Sequence, residues 1–409
     1  MKNFFEFVKK ETVLCVSFLL ALFSMFFVRP SADYIGYIDF RTLGILLSLM
    51  LVVAGVKKAG VFDAASYVLT SKTSTTLGLS YVLILLCFFL SMLITNDVAL
   101  ITFVPFAIYT LKACNQSSKI IPVVVLQTVA ANLGSMLTPL GNPQNLYLYQ
   151  LADYEFLAFV RVILPYALLS LVMICALAVI LCRGGKLADE NHNMIPDGVE
   201  EVFDLHKNAD KDVSRKEALV ESDVSDEADS KFGCPHIRVK DAVIFAVLFV
   251  LCLLVVFRIL NYLIALGVIL IYLLIFDRKL LTKADYSLLF TFIFFFIFTG
   301  NLGNISAVRD LLTSLVSGHE TITAVVASQA ISNVPAALLL SGFTSNYDAL
   351  LIGVNLGGLG TLIASMASLI SYKAIVASEP ELKGRYFTVF TVINVVMLMV
   401  LVGFSIIVR

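Results

Sequence analysis

The sequence predicts an all-α polytopic membrane protein made of two inverted-topology repeats, with about nine full spans, two re-entrant hairpins and broken helices at the site. Three observations lead there. Of 409 residues 59% are apolar and 14% charged, where a soluble domain carries about 25% charged residues. The charge is clustered: 14 of the 30 acidic residues and nine of the 29 basic ones lie between Arg183 and Lys240. That leaves flanking apolar runs near the ~20 residues that cross a bilayer. Finally, Asn-bearing polar interruptions recur at matched places on either side of the charged segment. A net charge of −1 argues against a nucleic-acid partner.

The chain divides into a first membrane repeat (1–182), a polar linker (183–240) and a second repeat (241–409). The first apolar run, Thr12–Val28, has no small-residue cleavage site after it and meets Arg29-Pro30, so it reads as a retained span. Further spans are Phe40–Val56, Ile120–Tyr149, Phe156–Cys182, Asp241–Phe257, Ile259–Phe276, Tyr286–Gly300, Asp348–Tyr372 and Tyr386–Val408. Two other stretches, 76–111 and 321–343, carry polar residues at their middles (Thr95-Asn96-Asp97 and Ser332-Asn333) and read as hairpins that enter and leave on one side. With a cytoplasmic N-terminus, this arrangement puts 23 Lys and Arg residues inside and 6 outside, as the positive-inside rule demands. The central loop is then cytoplasmic, the C-terminus outside, and the first hairpin opens to the cytoplasm while the second opens outward. The linker is polar, mixed in charge and poor in aromatics, so disorder is expected there.

The halves align without a gap over Asn132–Thr138 and Asn355–Thr361; in that register Asn142 meets Ser365 and Asn145 meets Ser368. Each half also shows an Asp at a span start (Asp39, Asp285), a Gly-marked end, a short amphipathic segment, the hairpin, and then the Asn-Leu-Gly span. Like units inserted in opposite directions are the signature of alternating-access carriers. Non-helical backbone survives in hydrocarbon only where it lines a protein-walled cavity. Gly134, Pro139, Gly141 and Pro143 should break the 120–149 helix, and Gly353, Gly357, Gly358 and Gly360 the 348–372 helix. Such breaks offer carbonyls to a cation and N–H groups to an anion. Candidate solute-binding residues are therefore Thr95, Asn96, Asn142, Asn145, Ser332, Asn333, Thr361, Ser365 and Ser368. Candidates for a coupling ion are Asn96, Asp97, Gly134, Thr138, Gly141, Asn333, Gly357 and Gly360.

Asp97 is the one acidic residue placed at mid-membrane depth. A carboxylate there costs at least ~2.5 kcal/mol on insertion scales, so it should face a cavity, a cation or a proton path. The bland reading is a cap on the outgoing half-helix. No His/Cys spacing suggests a metal or redox centre, and His192, His206, His236 and His319 all fall in loops, so neither catalysis nor a cofactor is expected.

The motifs Thr95-Asn96-Asp97-Val98-Ala99 with Pro105, Gly141-Asn142-Pro143-Gln144-Asn145, Ser332-Asn333-Val334-Pro335 and Gly357 to Ser368 resemble those of the ion transporter superfamily. The likeness is to citrate-transporter-like and divalent anion/sodium symporter permeases, relatives of arsenite permeases and of one class of sodium/proton antiporters. It implies a cation-coupled carrier of citrate or dicarboxylates in the plasma (inner) membrane, a homodimer, with Na+ at Ser-Asn-Thr hairpin tips. Asp97 and Val334 stand where that motif has Thr, which adds a charge and removes a hydroxyl. An arsenite-type anion exporter or a sodium/proton antiporter is the alternative.

Overall fold

A computed structural model describes residues 11–70, 73–184 and 237–408. The expected disorder of the linker falls outside the described residues from 185 to 236, together with His192, His206 and His236. Every regular element among the described residues is a helix. In the first half these are α1 (Thr12–Ser24), α2 (Asp33–Tyr37), α3 (Phe40–Lys58), α4 (Val61–Thr70), α5 (Thr76–Ile94), α6 (Asn96–Ala113), α7 (Ile120–Ser135), α8 (Pro143–Leu151) and α9 (Phe156–Cys182). The second half contains α10 (Val239–Val256), α11 (Tyr262–Phe276), α12 (Arg278–Leu281), α13 (Tyr286–Gly303), α14 (Ser306–Val316), α15 (Glu320–Ile331), α16 (Asn333–Leu340), α17 (Tyr347–Leu356), α18 (Met366–Ser378) and α19 (Lys383–Val408).

Seven helical segments among the described residues are long and apolar enough to cross a membrane. Their outward faces carry bare aliphatic side chains, such as Val172 and Ile180 on α9 and Met399 on α19. So much apolar surface is compatible with lipid and not with water. This is a multi-pass membrane protein.

Five expected spans form single long helices: α3, α9, α10, α13 and α19. Two are shorter than their apolar runs. Helix α1 closes at Ser24 and gives way to tighter turns through Val28, and the chain is extended by Pro30, since the residue preceding proline avoids the helical region. Helix α11 starts at Tyr262, not Ile259, because Arg258 turns the chain at a φ of 63° and the Asn261 side chain caps the new helix by accepting from Leu263 N. The remaining two are interrupted, one between Ser135 and Pro143 and the other between Leu356 and Met366.

The order of elements in the first half recurs in the second. Asp39 and Asp285 cap α3 and α13 in the same way, accepting from Thr42 N at 3.0 Å and Leu288 N at 2.9 Å. Amphipathic α4 and α14 follow, and then the helix pairs α5–α6 and α15–α16. Each pair bends at a single residue, Thr95 (φ 73°, ψ 148°) or Ser332 (φ 73°, ψ 155°). Broken helices α7–α8 and α17–α18 complete the unit.

Packing crosses between the halves reciprocally. Helix α18 of the second half lies on α6 of the first, and α16 of the second lies on α8 of the first. Close approach is built in: a Cβ at Gly134 would fall 2.2 Å from the Phe88 carbonyl oxygen, where α7 crosses α5. This crossing admits no side chain, as small-residue membrane packing requires.

Candidate functional site

Two tips and two breaks meet in the interior. At the first tip, Thr95 holds a left-handed backbone that its own side chain makes unfavourable, at about 1–3 kcal/mol. What fixes it is docking on the break: Asn96 N donates to the Gly141 carbonyl at 3.0 Å. The second tip repeats the device, with Asn333 N donating to Ala364 O at 2.9 Å. In the register that pairs Asn132 with Asn355, Gly141 pairs with Ala364. Each tip therefore sits on the same point of its own half's broken helix.

Side chains then join the halves. Asn96 Nδ2 donates to Asn132 Oδ1 at 3.1 Å, and Ser365 Oγ of the second half donates to the same oxygen at 3.0 Å. The mirror contact is Asn142 Nδ2 of the first half donating to Asn355 Oδ1 at 3.2 Å, while Asn355 Nδ2 donates to Asn145 Oδ1 at 2.7 Å. Asn132 Nδ2 reaches the Gly358 carbonyl at 3.4 Å, and a Cβ on Gly358 would lie 3.0 Å from Asn333 Nδ2. Asn96 is thus linked through Asn132 to the Gly358 carbonyl, and Asn333 lies close beside Gly358. Each of these asparagines is at most 5% exposed. Away from water such bonds reinforce one another, and losing any single partner leaves a costly orphan.

The other expected residues fall in or beside this cluster. Thr138 Oγ1 donates to the Met92 carbonyl and accepts from Gly141 N at 3.2 Å, so it ties the first hairpin to the first break. Thr361, its counterpart, is exposed; its hydroxyl donates to the Gln329 carbonyl at 3.4 Å. Ser332 Oγ donates to Ala364 O at 3.4 Å. Ser368 is fully buried and its hydroxyl has no partner. Gly134 and Gly357 sit at helix crossings, and Gly360 holds a φ of 105° with its absent Cβ 2.3 Å from Gln329 Oε1.

Asp97 lies in the first turn of α6 and does not cap it. One of the amides at this helix start, Asp97 N, donates to Asn96 Oδ1 at 2.9 Å. Asp97 Oδ1 is buried without a hydrogen-bond partner. The Asp97 side chain makes no capping hydrogen bond here, and an unpaired acidic oxygen is left inside the protein.

Three participants, two buried and one half-buried, escape a reading for motifs. Asn132 and Asn355 are visible in the sequence only as aligned identities, yet they carry the bonds between the halves. Gln329 sits three residues before the second tip; its Nε2 donates to the carbonyls of Val325, Gly357 and Leu359 at 3.2, 3.0 and 2.9 Å. Its counterpart before the first tip is Met92, so no paired polar signal pointed to it.

A family model described as citrate transporter matches residues 8–347, which includes the first tip, the first break and the second tip. The chain belongs to the citrate transporter family. It is 30% identical to an uncharacterized transporter of Methanocaldococcus jannaschii over 90% of both chains. It is also 29% identical to the inner membrane protein YbiR of Escherichia coli, over 82% of this chain and 80% of that one. A shorter stretch, 35% of this chain and 29% of the other, is 30% identical to a silicon efflux transporter of Oryza sativa subsp. japonica. Membership makes this protein a membrane transporter and not an enzyme.

Proposed function

We propose that the protein is a secondary carrier that moves a small organic anion of the citrate or dicarboxylate class by alternating access, coupled to H+ or Na+. The observation that carries this reading is the reciprocal meeting of two hairpin tips on two broken helices, with asparagine and serine side chains bonded between the halves. Static packing needs no such duplication. Amide N–H groups at the tips and breaks suit carboxylate oxygens, and a solute would enter by exchanging the Asn96–Asn132 and Ser365–Asn132 bonds for its own. The coupling ion belongs at Asp97, whose buried oxygen has no other partner, with Na+ at the hairpin tips as the alternative. The two halves are inserted in opposite senses, giving nine spans and two re-entrant hairpins. The charge distribution supports a cytoplasmic N-terminus and central loop and a C-terminus outside the plasma membrane. The working unit is a homodimer.

A second reading is favoured by one observation. No lysine or arginine appears among the described partners of the tips and breaks, while Asp97 adds negative charge. At about 5 Å and an effective dielectric near 20, two like charges repel by roughly 3 kcal/mol. A multiply charged anion therefore needs a co-bound cation or proton, whereas an exporter of weakly ionised oxyacids does not. The similarity to a silicon efflux transporter accords with that reading.

The test is a panel in proteoliposomes: labelled citrate, succinate and malate, with arsenite and silicic acid, under imposed Na+ or H+ gradients. Gradient-driven accumulation of a carboxylate, abolished in Asn96→Ala and Asn333→Ala, is the expected result. Movement of the oxyacids alone selects the second reading. Equal transport by wild type and both alanine variants rejects the site.

A further inference from the structure

Broken membrane helices leave carbonyls without intrahelical donors, and a cation is one way to satisfy them. In this protein the convergent carbonyls of both breaks already surround a nitrogen. Asn145 Nδ2 is 3.5, 3.0 and 3.2 Å from the carbonyl oxygens of Ser135, Met136 and Thr138 in the first break. Gln329 Nε2 is 3.0 and 2.9 Å from those of Gly357 and Leu359 in the second, with Val325 O as a third acceptor. An NH2 group has two hydrogens, so three acceptors around one nitrogen make a cage for positive charge, not an ordinary hydrogen-bond pair. The amides' orientations are fixed from their other ends. Asn145 Oδ1 accepts from Asn355 Nδ2 at 2.7 Å, and Gln329 Oε1 accepts from Thr361 N at 2.9 Å. Turning either amide over would set oxygen against oxygen.

The two amides come from unrelated positions. Asn145 follows its break, and its counterpart Ser368 is too short to reach and has an unpartnered hydroxyl. Gln329 precedes its hairpin tip, and its counterpart Met92 has no donor. Yet both meet the same place, since Met136 and Leu359 are equivalent residues in the register of the two halves. Two different side chains that converge on one backbone feature point to a requirement of that feature.

We infer that the carboxamides of Asn145 and Gln329 are tethered stand-ins for a metal cation, so that neither helix break takes up sodium during the transport cycle. The inference deepens the carrier reading and rests on it for its role in transport: it confines the coupling ion to the neighbourhood of Asp97. Removing an amide should open a cage that a free monovalent cation can enter.

The experiment uses the full chain, with wild type, Gln329→Met and Asn145→Ser, each variant copying what the other half carries at that position. Thermal unfolding in detergent and uptake in proteoliposomes are followed in choline, lithium, sodium and potassium chloride at equal ionic strength. Any dependence of the wild-type midpoint on the metal ion should vanish in Asp97→Asn, which should show the same midpoint in all four salts. Gln329→Met should lose about tenfold or more in uptake rate in choline, since several carbonyls lose their donor at once, and regain midpoint and rate with one of the metal ions; Asn145→Ser should do the same. A sodium-dependent rise in the wild-type midpoint that persists in Asp97→Asn overturns the inference. So does a folded Gln329→Met or Asn145→Ser that responds to no metal ion. The unfolding measurements need no transported solute, so failure of the carrier reading shows separately, as absence of solute movement with the salt responses intact.

Discussion

At the scale of single residues, Asp97 separates a carrier from a packing knot. It is the tip's departure from symmetry: Val334 holds the equivalent place, and Asp97 Oδ1 has no hydrogen-bond partner. Asp97→Asn keeps the shape and removes the charge. If Asp97 carries the coupling ion, the variant should still exchange solute across the membrane but lose accumulation against a gradient, a drop of tenfold or more for each ~1.4 kcal/mol of coupling lost. Counterflow measured beside gradient-driven uptake checks this; equal losses in both would make Asp97 structural. The sequence exposed Asp97 because an acid in an apolar stretch is conspicuous. It hid Gln329, which is one polar residue in a helix that also holds Thr321, Thr323 and Ser328. Nothing local distinguishes a side chain that turns inward to three carbonyls from one that faces a neighbouring helix. That choice is made by the second break, folded against it from 28 residues away.

At the scale of elements, the hairpin tips store strain. Thr95 and Ser332 adopt φ near 73° with ψ near 150°, a region in which glycine alone is comfortable. Nature has nonetheless placed β-carbons at both tips. Thr95→Gly together with Ser332→Gly should raise stability, each tip releasing about 1–3 kcal/mol of strain less about 0.5–1 kcal/mol for the freedom of glycine in the unfolded chain, seen as a higher unfolding temperature in detergent. Transport should fall, because glycine loosens the presentation of Asn96 N and Asn333 N to Gly141 O and Ala364 O. Stability and transport rising together would show that the strain is incidental. The hairpins and breaks themselves were legible in sequence, since Asn in an apolar run and Pro and Gly inside a span both contradict a continuous helix. Their bounds were not. Helix α16 ends at Leu340 and passes into a tight turn through Phe343, inside a stretch, 321–343, that the sequence leaves as one piece. Likewise α11 begins where Arg258 bends, which hydropathy does not register.

At the scale of the molecule, the halves are held by each other and not by the chain between them. Both ends of the described chain at the linker are anchored. Lys119 Nζ donates to the carbonyls of Leu181 and Arg183 at 3.3 and 2.8 Å, and Arg238 N donates to Ala59 O at 3.1 Å. Between the halves, α18 lies on α6, α16 on α8, α10 on α3 and α13 on α1, and the asparagine cluster closes the centre. These contacts hold the halves without the linker, and lengthening a connection of this size would cost little because the entropy of loop closure grows only slowly with length. A protease site introduced between 186 and 236 and cut after membrane insertion should therefore leave the two fragments co-purifying, with uptake within about twofold of the uncut protein, since loss of the tether perturbs a bimolecular assembly little when its interface is large and apolar. Fragments that separate in mild detergent would mean that the crossed packing is weaker than its burial suggests. Fragments that stay together but no longer transport would give the linker a part in the cycle beyond joining two membrane units.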